Sequence, residues 1–554
     1  MVHSAIRRGA MSQGHVPTDS EISAALASDT VVNAGGENPV IANLLARHPW
    51  PQPNIATDAN GNNVLATTRF SNRVDSLIGK IDQHLGAGDV LTGRYFFGDS
   101  DQSFPLALVG GGILPGYNTI TPTRVQLVSI SLTHIITPRL LLEFRAGYNR
   151  FAETFFSEDR KFDPRSVGLN SQGNDTGLPE ILVSGESTLG SNTSLPRGRV
   201  DTNWQWVTNA SYNTGRNNWK WGYEFRRTFV NGFFDNGYRG RLLFPDLASF
   251  LAGQPGGSLT TSNHEAQGDS RRGTFQNNHA FYVQNNFKLT RRLTLNAGLR
   301  WDYYGVIGEE RHRFSIFDAS IPGPRQVNQL YPHDLNNFAP RASFAYDLFG
   351  SGKTVVRAGW GMFYDVFSQD FFAGQLPWNT FNPGPAYNDI GGSAPVLFSG
   401  SAALAVIPGP CTGADVPIPN MQSCAPPVFS KFSASDIFTV DQKIRTPYIQ
   451  NYNFNVQQRL GAGMALQIGY VGSSGHKLFR YRDLNQSIGG GSLSYPDFVY
   501  INQFESSATS NYNGLQLSLR TNAHGLTSMI SYTLVAFHRH GIRRPGFRSQ
   551  RHAA

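Results

Sequence analysis

Between Thr274 and Tyr304 the chain reads as two long strands joined by a very short turn. In residues 291–304, Leu293, Leu295, Ala297, Leu299, Trp301 and Tyr303 fall on one face, and Arg292, Thr294, Asn296, Gly298, Arg300 and Asp302 on the other. This is the two-residue period of an extended chain with one apolar face. A strand of a soluble protein usually spans about 5–6 residues. Here the alternation lasts about twice as long, close to the ~9–11 residues that a tilted strand needs to cross a bilayer. Aromatic residues gather at one end of the apolar face, as they do at the rim of a transmembrane barrel.

The pattern recurs. The strongest hairpins are 69–82 with 89–98, 124–137 with 139–151, 203–214 with 218–231, 276–290 with 292–304, 338–349 with 354–365, 446–460 with 464–473, and 511–522 with 526–534. Turns within hairpins are short and rich in Gly, Pro and polar residues, as at 137–139, 350–353, 461–463 and 523–525. Such residues supply the backbone angles of tight turns. Segments between hairpins are long: 99–123, 157–202, 232–272, 306–337 and 366–445. Short turns at one end and long loops at the other describe an outer-membrane barrel, and the irregular hairpin spacing argues against propellers and solenoids. The fold class expected is therefore all-β: a large antiparallel transmembrane β-barrel with about 14 strands legible in the sequence.

Composition supports this. Charged residues make up 16% of the chain, below the ~25% of an average soluble domain, while aromatics reach 12% and there are 58 glycines. No apolar run approaches the ~18 residues of a spanning helix. The formal charge of +8 does not indicate nucleic acid. Five arginines near the C-terminus (Arg539, Arg543, Arg544, Arg548 and Arg551) account for more than half of it, and no basic stripe interleaved with stacking aromatics remains. Cys411 and Cys424 lie in a Pro/Gly-rich segment without a neighbouring His, which suggests a disulfide rather than a metal site. The N-terminal twenty residues carry basic side chains but no apolar core of a signal peptide.

Several segments together resemble the TonB-dependent outer-membrane transporters, in particular their Oar-like branch. They are NRVDSLIGKIDQHLGAGDVLTGRYFFGDSD (72–101), NNFKLTRRLTLNAGLRWDYYG (285–305), NNFAPRASFAYDLFGSGKTVVRAGWGMFYD (336–365), TPYIQNYNFNVQQRLGAGMALQIGYVGSSGHKL (446–478) and SNYNGLQLSLRTNAHGLTSMISYTL (510–534). The helical-looking PVIANLLARHPWPQPN (39–54) resembles the part just before the barrel body in that family. The resemblance implies a barrel of 22 strands in the outer membrane, plugged by an N-terminal domain. It also implies a coupling box pulled by the TonB complex and import of a bulky solute of siderophore, cobalamin or glycan class. No plug, coupling box or signal peptide is recognisable here, and the alternation stops near Leu534. Expected domains are thus an irregular segment at 1–66, a barrel portion at 67–534 and a basic, aberrant or disordered tail at 535–554. A truncated gene product is the expected origin, with TonB engaged only through the missing N-terminal region.

Candidate lumen-facing residues are Glu143, Arg145, Arg300, Asp302, Arg341 and Asp347, joined by Asn149, Asn451, Asn453 and Asn455. Most of these read as the polar wall of any water-filled barrel, with solute recognition expected in loops such as 378–387. Trp219, Trp221, Trp301, Tyr303, Trp360 and Tyr364 read as interfacial aromatics. No nucleophile elbow, HExxH or phosphate loop is present; Gly350–Lys353 only resembles the end of one. The chain is expected to have neither catalysis nor a cofactor, with membrane lipid and an unidentified solute as partners. A non-transporting surface or adhesion barrel and a secreted glycan-binding β-protein are the alternatives.

Overall fold

The computed structural model describes residues 2–540 apart from 170–175, 257–263, 319–322, 370–392, 398–434 and short gaps at 236, 269, 462, 488–490, 497 and 524–525. One sheet of 17 strands dominates it. Fifteen of these run up and down in sequence order, each pairing antiparallel with the next. They are β1 (Val2–Gly14), β2 (Val64–His84), β3 (Asp89–Phe104), β4 (Thr119–Thr137), β5 (Leu140–Ser157), β6 (Arg197–Thr214), β7 (Asn217–Phe234) and β8 (Arg272–Lys288). The series continues with β9 (Leu293–Tyr304), β10 (Asn337–Asp347), β11 (Thr354–Tyr364), β12 (Tyr448–Gly461), β13 (Met464–Asp483), β14 (Phe498–Ala523) and β15 (Leu526–His540). Among the described residues no pairing joins β1 to β15.

The strands are longer than their apolar alternation. The hairpin expected at 69–82 and 89–98 spans Val64–His84 and Asp89–Phe104, because polar residues beyond the lipid-facing stretch continue the same ladder. Asp99, on that extension, accepts from Arg124 Nε of β4 at 3.0 Å, and near the same level Arg73 pairs with Asp75 at 2.7 Å.

Sidedness follows from register. Phe281 is 52% exposed and Ile530 65%, with Leu299 and Ile130 of the same kind. These residues share the apolar face; Leu299 alternates with Gly298 and Arg300, and Ile130 with Ser129 and Ser131. Water cannot solvate so extended an apolar surface cheaply, at roughly 25 cal/mol per Å²; lipid can.

Two expectations change at the termini. The segment 1–66 is not irregular: Val2–Gly14 is a full wall strand paired with 64–76, and three helices follow, α1 (Asp19–Leu26), α2 (Asp29–Asn33) and α3 (Pro39–Leu45). Because Gly14 pairs with Val64, residues 15–63 form one more long loop at the same end as 105–118 and 158–196. They do not stand ahead of the barrel. Nor does the ladder stop at Leu534, since β15 pairs with β14 as far as His540 opposite Thr509.

The long loops build a cap with interiors of their own. Val31, Val40, Ile41, Leu44 and Trp50 pack with Leu114, Leu178, Phe244 and Phe250 in one buried cluster. Local chemistry starts these helices: Thr18 and Glu21 form a reciprocal capping box, and Asn38 Oδ1 accepts from Val40 N at 2.9 Å with Pro39 in the first turn. A second cluster contains Ile307, Phe314, Tyr331, Phe367, Ile444 and Phe504. The cap grips the polar face of the wall: Thr274 Oγ1 donates to Gln369 Oε1 at 2.9 Å, and Gln276 Nε2 to the Gly305 carbonyl at 2.8 Å.

Candidate functional site

Alternation places a row of polar side chains on the face opposite the exposed apolar residues, and the antiparallel register brings them together across strands. Glu143 on β5 bonds Arg145 and accepts from Asn209 Nδ2 on β6 at 3.1 Å; Asn209 Oδ1 accepts from the Tyr282 hydroxyl on β8 at 2.8 Å. Beside this chain, Glu224 on β7 accepts from Gln205 Nε2 at 2.7 Å and from Arg300 Nη2 at 3.3 Å, and Arg300 Nε reaches Asp302 Oδ1 at 2.8 Å. Arg341 stacks its guanidinium over Phe363, 4.3 Å from the ring centroid. The ion pairs Glu143–Arg145 and Arg300–Asp302 lie within single strands, and Arg300 with Glu224 joins β9 to β7.

The structure therefore joins Glu143 with Arg145 and Arg300 with Asp302, and sets Arg341 next to the latter pair. Asp347 does something else. Its carboxylate accepts from Gly350 N at 3.0 Å and Gly352 N at 2.8 Å and closes the turn after β10. Both glycines have positive φ, +73° and +67°, so the Gly-Ser-Gly-Lys stretch is a capped hairpin turn and both glycine amides are already occupied. Asn149 lies on the same face as Glu143, and Asn455 donates to Asn453 at 3.1 Å. Cys411, Cys424 and the loop 378–387 lie outside the described residues.

A cleft of about 770 Å³ opens on this polar face, lined among others by Lys220, Tyr282, Arg300, Arg341, Ser343 and Asn453. Glu224, Asn209, Gln205 and Tyr282 were not singled out from the sequence. The signal was there: Asn203, Gln205 and Asn209 alternate with Trp204, Trp206 and Ala210 along β6.

The apolar face carries two levels of aromatics. Trp219 and Trp221 stand near the short turn before β7. Toward the loops a belt runs from strand to strand. It links Tyr148 to Trp204 (4.6 Å between centroids), Trp206 to Phe225 (5.5 Å), Phe225 to His279 (4.9 Å), and His279 to Tyr303 (6.1 Å), with Trp301 stacked beside Tyr303. Tyr364 on β11 reaches the loop-side end of its strand, whereas Trp360 lies between the levels. Tyr148, Trp204, Phe225 and Tyr303 stand about nine to eleven residues from the short turns. No helix among the described residues is long and apolar enough to cross a membrane; the wall crosses with strands.

Residues 3–536 match the model of one protein family, the outer membrane beta barrel domain. The chain belongs to that family. This outer-membrane barrel also superposes on solved structures. The outer membrane transporter YddB from Escherichia coli aligns with a TM-score of 0.53 at 12% identity, over 87% of this chain and 50% of that one. The siderophore receptor PirA from Pseudomonas aeruginosa gives 0.44 at 10% identity, over 86% and 60%. A mutant of the ferric enterobactin receptor PfeA from Pseudomonas aeruginosa gives 0.46 at 11%, over 92% and 55%. No curated protein matches the chain in sequence. The barrel spans about half the length of YddB, 50% of that chain. The family is one of outer-membrane barrels, and YddB, which shares the fold, is an outer membrane transporter.

Proposed function

We propose that the chain is the barrel portion of a TonB-dependent, Oar-like outer-membrane transporter or receptor that takes up a bulky solute of siderophore, cobalamin or glycan class. The observation that supports this most is the polar cleft of about 770 Å³ on the wall beneath a folded loop cap. A pocket of that size suits a solute larger than a simple ion or sugar, and its Arg, Lys and Asn lining suits an oxygen-rich, anionic one. The fold of YddB adds a barrel of the same class. In this reading Arg300, Arg341 and Asn453 face the solute path, and energy coupling belongs to a plug and coupling box outside these residues.

Fluorescence titration tests the proposal. The chain in detergent micelles is titrated with ferric catecholate and hydroxamate siderophores, cobalamin and oligosaccharides. Saturable binding of one class at micromolar concentration, weakened in Arg341→Gln, supports it. Absence of saturable binding to every class rejects it. A second reading, a non-transporting surface barrel, is favoured by the cap itself, since buried loop cores give a stable display platform. Adhesion of cells displaying the chain, without any solute binding, would select that reading.

A further inference from the structure

The five wall strands β5 to β9 contain Glu143, Glu153, Asp201, Glu224 and Asp302, and the register puts every one of them on the polar face. Their apolar face has no acid. It has two arginines, Arg150 on β5 and Arg227 on β7. Each stands two residues nearer the loops than a belt aromatic, Tyr148 and Phe225 respectively. Register brings them close: Arg150 faces Thr202, Arg227 faces Trp204, and Trp204 packs on Tyr148.

Neither arginine has an ion pair among the described residues. Arg227 is held rigidly, its guanidinium 4.6 Å from the Phe229 ring centroid and 5.3 Å from that of Phe275, with Nε buried and without a hydrogen-bond partner. The contrast with β2 to β4 is direct. There the outward arginines Arg73 and Arg124 are already paired with Asp75 and Asp99.

Belt aromatics mark the interface of a membrane barrel, so an uncompensated cation on the loop side of the belt meets lipid headgroups. In barrels of this kind the long loops are extracellular, so this boundary belongs to the outer leaflet. We infer that Arg150 and Arg227, together with the Tyr148–Trp204 step of the belt between them, form a docking site for a phosphate-bearing glycolipid headgroup of the outer leaflet. The arginines supply planar donors to phosphate oxygens, the rings pack against sugar and acyl-chain root, and the acid-free face imposes no repulsion. The inference rests on the family's membrane location and not on the proposed solute transport.

The test is a lipid titration of the full chain in micelles, read by Trp fluorescence, with diphosphorylated lipid A, its dephosphorylated form and phosphatidylglycerol as separate probes. Saturable binding of the diphosphorylated lipid is expected, roughly tenfold tighter than of the dephosphorylated one and weakened by salt. Arg150→Gln/Arg227→Gln should remove that preference. Arg150→Lys/Arg227→Lys should recover part of it, and Arg357→Gln on the polar face should leave it intact. Equal binding of phosphorylated and dephosphorylated lipid A by the unmodified chain overturns the inference even if the variants do not fold. So does equal affinity for phosphatidylglycerol, which would reduce the site to general attraction for anionic lipid.

Discussion

The wall and the loop cap of this chain are stabilised against different solvents. The wall has no interior between layers. It leaves Ile530, Phe281 and Leu299 exposed on one face and binds Glu143, Glu224 and Arg300 into bridges on the other, so its backbone ladder and the lipid do the holding together. The cap is built as a water-soluble domain is built. Phe244, Phe250 and Leu251 are fully enclosed, and Trp50 and Phe244 meet Phe250 edge to face at 5.5 and 5.2 Å. One polypeptide thus follows a two-residue rule where it meets lipid and a close-packing rule where it meets water.

This contrast can be broken from either side. Phe250→Ala should have the largest effect, costing about 3–5 kcal/mol through an unfilled cavity. Proteolysis should then cut within 15–63 while heat-resistant strand structure persists. If the strand wall unfolds together with the cap, the two regions are one cooperative unit and the contrast fails. On the wall, Leu295→Arg places a charge on the apolar face toward the short-turn end and should destabilise by less than the ~2–4 kcal/mol of a mid-bilayer site, seen as lost detergent-resistant mobility on gels. Asn296→Arg, one residue along and facing the other way, should be tolerated; the reverse outcome would invert the assigned faces.

Smaller effects sharpen the boundary. Asn38→Ala removes the acceptor that caps α3 and should lower cap stability by about 1 kcal/mol, measured as faster amide exchange in 39–45 with no change in the strands. The cap should also carry a pH dependence of its own. Burial raises the Glu186 carboxyl above its ordinary value, an effect only partly offset by His15, whose Nδ1 lies 2.9 Å away. A carboxyl raised in the folded state stabilises at low pH and loses that contribution as pH rises through its folded value. Glu186→Gln should therefore raise the cap's melting temperature more at pH 8 than at pH 4. Glu21, held below its ordinary value mainly by Thr18, works in the opposite direction on acidification, so Glu21→Gln should reverse the trend.

What the sequence could be made to say followed the same division. Hairpins such as 276–304 were legible because lipid on one face imposes strict alternation, and Gly, Pro and Asn punctuate the turns. The polar-face pairs were half legible. Arg300 and Asp302 lie two apart on one strand, whereas Glu224 joins them from β7 only through register. Asp347 looked like its neighbours, yet its carboxylate turned to the amides of Gly350 and Gly352.

By itself, then, the sequence determined the all-β class, the strand directions, the end that bears the long loops and the face that meets lipid, since each follows from local periodicity and turn chemistry. Tertiary structure alone decided that Val2–Gly14 is a wall strand, that 15–63 folds as part of the cap, and that Arg150 and Arg227 stand on either side of β6 along the same belt. Those facts depend on which strand lies next to which and in what register. Such pairings join residues tens to hundreds of positions apart, and no window of local sequence contains them.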